Sequence, residues 1–196
     1  MGLTINYTGN FIPYASLSEM IEEVKDTAEI YKWKYHIFET QFPENNFDDT
    51  NFNEDIYGIF FLPPSCEPVL LCFLSNGRMA NPFMFQHWLQ SKDKKDEHLI
   101  YGNFTKTQYA GIEIHKQIIH FLKHLSKKYL MNFKVIDEGG YWDTEDEKVL
   151  QDNFNRYTNL IENFTFSIKN HPQKADENFD TYFERLLKQL HSKPEK

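Results

Sequence analysis

Apolar and polar positions alternate over residues 3–8, with Leu3, Ile5 and Tyr7 on one side, the period of a half-buried strand. From Leu17 the period becomes helical. Leu17, Met20, Ile21, Val24, Ala28 and Tyr31 recur three and four apart behind a Ser16/Glu19 capping box. The opposite face carries Glu19, Glu22, Glu23, Asp26 and Glu29, which reads as a solvated surface. Residues 35–41 read as a second strand and 43–55 as a mobile acidic, Asn-rich loop.

Tyr57–Leu62 and residues 69–74 are nearly unbroken apolar runs around Pro63, Pro64 and Pro68. Runs without alternation predict strands covered on both faces, the inner strands of a sheet. Asn76-Gly77 predicts a tight turn with positive φ, and Pro82 confines the returning strand to an edge. A short helix is expected over 83–89, a polar loop over 91–97 and a strand over 98–104. Thr105 with Gln108 reads as a second capping box, opening a helix that ends near Tyr129. A strand over 132–138 is broken by Gly139-Gly140, and Thr144 with Glu147 caps a long helix that Pro172 stops. Phe179, Tyr182, Phe183, Leu186, Leu187 and Leu190 then draw one last amphipathic stripe.

These elements predict the α+β class: a largely antiparallel or mixed sheet, helices packed on at least one face, and a C-terminal helical pair. Residues 1–172 form the domain. Residues 173–196 form a helix that packs on it, with packing on a second copy, a homodimer, as the alternative.

Charge changes the picture in two places. Residues 1–55 hold 3 Lys and 11 Asp+Glu, a net of −8, while 56–196 hold 18 of each sign. An acidic N-terminal quarter repels a nucleic-acid backbone and favours a basic protein partner. Residues 106–134 carry six Lys and one Glu, and 137–152 carry seven acids and one Lys, so these blocks should attract each other. No apolar run approaches a membrane span, and no signal pattern opens the chain. With 2 Cys in 196 residues, a cytoplasmic protein with buried, inert thiols is expected.

Dinucleotide, P-loop, zincin and hydrolase-elbow patterns are absent, and neither a metal site nor a cofactor is expected. His120 and His124 have metal-pair spacing but lie among Lys116, Lys123 and Lys127 on the polar side of their helix, which predicts exposure. His115 borders the apolar stripe. The following strand returns along this helix by about 23 Å over seven residues, reaching the level of His115. Phe133, Val135 and Asp137 share the strand face that meets the helix, so Asp137 should point at His115. An Asp that orients a His serves acid–base catalysis, and it equally satisfies a half-buried imidazole.

The segment Asp137-Glu138-Gly139-Gly140-Tyr141-Trp142-Asp143-Thr144 sets two glycines beside two large amphipathic rings. Together with Phe104-Thr105-Lys106-Thr107-Gln108-Tyr109-Ala110-Gly111 and Gly2-Leu3-Thr4-Ile5-Asn6-Tyr7, it resembles an uncharacterised bacterial protein family. The resemblance implies a bacterial origin and carries no activity.

Two functional readings follow. The first is a small soluble interaction or regulatory module without catalysis, whose acidic N-terminal surface meets a basic partner. The second is a hydrolase-type or metal-assisted enzyme using His115, Asp137 and Glu138, with Tyr141 and Trp142 lining a ligand cleft.

Overall fold

The computed structural model describes residues 3–43, 47, 50–174 and 177–191, with side chains through Lys188. Among the described residues, six α-helices and two small antiparallel sheets make an α+β fold. In the first sheet β1 (Thr4–Phe11) lies between β5 (Asn103–Lys106) and β6 (Leu130–Asp137). In the second, β3 (Tyr57–Leu62) lies between β2 (Lys34–Ile37) and β4 (Val69–Phe73). The expected single sheet is thus two, because the link between them is too irregular to continue a ladder. Phe11 N–H donates to the Gly77 carbonyl at 2.7 Å and Met79 N–H to that of Gly9 at 3.0 Å.

β3 is the inner strand expected from its composition. β4 is last in its ladder, yet every residue of it is buried, because β5 flanks it. The Tyr7 hydroxyl accepts from Leu70 N–H at 2.7 Å, and the Thr105 hydroxyl donates to the Pro68 carbonyl at 3.0 Å. These contacts cover the edge without strand pairing. α1 (Leu17–Ile30), capped by Ser16, buries Met20, Ile21 and Val24 in a core shared with β1, β3, β4 and α3 (Ile112–Tyr129).

Five local expectations need correction. Pro82 does not close an edge strand; with Asn81 as N-cap it opens α2 (Pro82–Ser91), where its missing N–H is harmless. Residues 98–104 are not one strand, since a 3-10 helix (Glu97–Tyr101) precedes β5. Thr105 and Gln108 cap no helix, because both are buried and bonded elsewhere; α3 starts at Ile112 behind Gly111. Asp146, not Thr144, caps α5 (Glu147–Asn170), and a separate turn, α4 (Tyr141–Thr144), precedes it. At the 76–77 turn only Gly77 takes positive φ, +75°.

Part of the expected mobile loop, residues 44–46 and 48–49, lies outside the described residues. Its C-terminal part is anchored. Asn53 N–H donates to the Ser75 hydroxyl at 2.9 Å, and its side-chain amide donates to the Tyr57 hydroxyl at 2.7 Å. The opposite charge blocks meet as expected, through Lys116–Glu147 and Lys123–Glu145. α6 (Phe179–His191) folds back on α5, burying Tyr182 and Leu186 but leaving Phe179 and Phe183 exposed. The side chain of Leu190 lies outside the described residues.

Candidate functional site

The three segments at 2–7, 104–111 and 137–144 come together at one end of β1. Gly2 lies outside the described residues. Leu3 N–H donates to Gln108 Oε1 at 2.8 Å, and Leu3 carbonyl accepts from Thr107 N–H at 2.9 Å. Thr4 N–H donates to Glu138 Oε2 at 2.9 Å, and Glu138 N–H returns to the Thr4 carbonyl at 3.1 Å. Glu138 therefore ends the β1–β6 ladder, exposed and held by Thr4 rather than by His115.

His115 and Asp137 are neighbours. The His115 Nε2 lies 3.1 Å from Asp137 Oδ1, and both side chains are fully buried. The approach is off the axis of an Nε2–H, so it is a close polar contact rather than an aligned hydrogen bond. The carboxylate is directed at the backbone instead. Gly139 N–H donates to Oδ1 at 2.7 Å, while Tyr141 N–H and Trp142 N–H donate to Oδ2 at 2.7 and 2.9 Å. Asp137 thus gathers the amides of the Gly-Gly turn and the first turn of α4. Burial pushes its pKa up, but the His115 ring and the Trp142 and Gly139 amides outweigh burial and bring it below the usual carboxylate range.

On the other side of the ring, His115 Nδ1 and the Thr107 hydroxyl share a hydrogen bond of 2.7 Å. Thr107, His115 and Asp137 form a hydroxyl–imidazole–carboxylate line, the order of parts used in nucleophilic catalysis. This line is sealed. Thr107 and His115 have no exposed surface, and the Phe154 ring meets the imidazole edge-on at 5.7 Å between centroids. Gly139 closes the remaining side: a Cβ there would sit 2.7 Å from Leu150 Cδ1 and 2.8 Å from His115 Nε2. A substrate atom cannot approach the hydroxyl without displacing core side chains.

Tyr141 and Trp142 do not line a cleft over this cluster. Tyr141 is buried with its hydroxyl 3.3 Å from His120 Nε2. Trp142 packs edge-on against Phe133, with the Lys123 ammonium 5.4 Å from its ring. His120 and His124 are exposed. Among the described residues no group of three or more His, Cys, Asp or Glu is placed to hold a metal ion. Burial pushes the Cys66 thiol up to about 12, with help from Glu67, and raises that of Cys72 further, so neither is a ready nucleophile.

Open surface lies instead along α1. One shallow depression, about 550 Å³, is bounded by Ser18, Glu19, Glu22, Glu23, Asp26, Lys128 and Tyr129. A second, of about 700 Å³, shares Ser18 with it at the helix N-terminus and reaches Thr40, Phe42 and Phe47. Glu23 is the fixed member of the first. It accepts from Lys128 Nζ at 2.7 Å, from the Tyr129 hydroxyl at 2.8 Å, and contacts His124 Nε2. Partial burial raises its pKa, but these donors prevail and hold it at about 2. Glu23 therefore clamps α1 to the end of α3, while Glu19, Glu22 and Asp26 are exposed, Glu22 accepting from Lys25 Nζ at 2.9 Å.

Thr107 and Asn103 escaped the reading of the sequence. Thr107 sits inside the 104–111 block, which was the available signal. Asn103 had none. The residue is 3% exposed, and among the described residues neither amide atom has a hydrogen-bond partner. A buried unpaired amide costs about 1–3 kcal/mol, so Asn103→Leu, of similar size, should raise stability by about 1–2 kcal/mol in urea unfolding. A destabilised variant would show that the amide is paired in solution.

No family model, curated protein or solved structure matches the chain.

Proposed function

We propose that this protein is a small interaction or regulatory module, and that it receives a basic segment of a partner protein along the outer face of α1. The observation that supports this reading is one of accessibility. The side chains able to do chemistry, Thr107, His115 and Asp137, are buried, whereas Glu19, Glu22 and Asp26 are exposed around an open depression. Carboxylates in solvent attract cationic chains at little desolvation cost and set association rate more than final affinity. The same field disfavours nucleic acid. Among the described residues no helix is long and apolar enough to cross a membrane. A cytoplasmic setting accords with the two free thiols, and a bacterial origin rests on the family resemblance.

The test is titration of a lysine-rich peptide at low salt against two variants of equal net charge. One carries Glu19→Gln, Glu22→Gln and Asp26→Asn; the other carries Asp152→Asn, Glu162→Gln and Glu184→Gln on the C-terminal helices. The α1 variant should lose about tenfold in affinity and the control less than about threefold. Equal losses would mean that only net charge attracts the peptide, and would overturn the reading.

A further inference from the structure

α5 runs on past the core it packs against. Its 24 residues span about 36 Å, and only its first half reaches the core, through Leu150, Phe154 and Tyr157. The same face continues. Leu150, Phe154, Tyr157, Ile161, Phe164 and Ile168 follow one another at intervals of four, three, four, three and four, an unbroken a/d heptad seam. Its second half carries Ile161, Phe164 and Ile168 past the core, with Ile168 42% exposed. α6 covers this stretch only in part. The Phe183 ring meets Phe164 edge-on at 5.9 Å and stacks on Phe179 at 6.0 Å. Phe183 is still 37% and Phe179 67% exposed. The α5–α6 hairpin thus ends in a contiguous apolar face, and two helices cannot close a core by themselves.

We propose that a second copy of this chain occupies that face, two hairpins closing into a four-helix bundle about a twofold axis. Three observations select a second copy over another partner. A heptad seam interlocks with helices, and the hairpin itself supplies helices of matching length. Residues 147–191 carry six Lys+Arg and seven Asp+Glu, so like faces meet without the repulsion that the −8 of the N-terminal quarter would impose. A near-neutral face also has no field to draw in a charged partner. The size is sufficient as well. The 13 residues of α6 run for about 20 Å, and two helices side by side are about 20 Å wide. With ridged side chains, such a face buries on the order of 1,000 Å² over both copies, near the threshold for a specific interface and in the range of reversible dimers.

Sedimentation of the full chain between about 1 and 200 µM tests this. The wild type should pass from the 23.5 kDa monomer to a species of twice that mass as concentration rises. Ile168→Glu and Phe179→Glu, at exposed positions, should each stay monomeric throughout, with helical circular dichroism and dilute-solution melting unchanged. A wild type that remains monomeric at the highest concentration overturns the proposal. So does a dimer that persists in both variants, since another surface would then hold it. Neither result bears on the α1 face, because the peptide titration is run at concentrations where the chain is monomeric.

Discussion

Asp137→Ala is expected to cost about 3–5 kcal/mol in equilibrium denaturation, among the larger losses available to a single substitution here. The carboxylate is fully buried and accepts from Gly139, Tyr141 and Trp142 N–H while facing His115. Truncation strands three amides and an imidazole in a region closed to water, and each lost partner leaves a full desolvation penalty. Asp137→Asn should cost less, about 1–3 kcal/mol, because one oxygen still accepts while the new NH2 opposes an amide donor. The sign with pH follows from the depressed pKa. A carboxyl held below its unfolded value of about 3.9 contributes its full stability above that value and loses it as pH falls through the folded pKa. The gap between wild type and Asp137→Asn should therefore be flat from about pH 5 to 7 and narrow below about pH 4. A gap that grows on acidification would contradict this. If Asp137→Asn proved folded and equally stable yet lost some activity, the enzyme reading would replace the module.

Gly58→Ala should be comparably damaging, by about 3–5 kcal/mol, for reasons of backbone rather than charge. Gly58 sits in β3 with φ +111°, a conformation that costs an L-residue on the order of 1–3 kcal/mol. An added Cβ would also lie 2.2 Å from the Leu71 carbonyl oxygen, and that oxygen belongs to the paired strand β4. Relief requires the two strands to part, which adds a packing cost of about 1–3 kcal/mol. Gly58 N–H donates to the Glu39 carbonyl and its own carbonyl accepts from Phe38 N–H, both at 2.9 Å, so displacement would loosen the end of β2 as well. Chemical denaturation and amide exchange of β2–β4 provide the measure. A loss below about 1 kcal/mol would show that the strands adjust freely at this point.

Where hydrogen bonds and burial are local, the order of residues was enough to reveal the structure. The Leu17–Ile30 helix follows from its period and from Ser16, and the covered strands β3 and β4 follow from runs without alternation. The meeting of His115 and Asp137 was legible for the same reason. A helix that reverses directly into a strand has a calculable rise, and matching the two rises locates one residue beside the other. Partnership over long separation was not legible. Thr105 and Gln108 have capping chemistry, but the Pro68 carbonyl and Leu3 N–H claim them from 37 and 105 residues away, so the helix begins only after Gly111. Whether Thr107–His115–Asp137 opens to solvent was equally hidden. Leu150, Phe154 and Gly139 close it, and only the path of α5 across the body brings the first two there. Local patterns write themselves in neighbouring residues, whereas access to a site depends on which distant side chains come to cover it, and that is settled by packing alone.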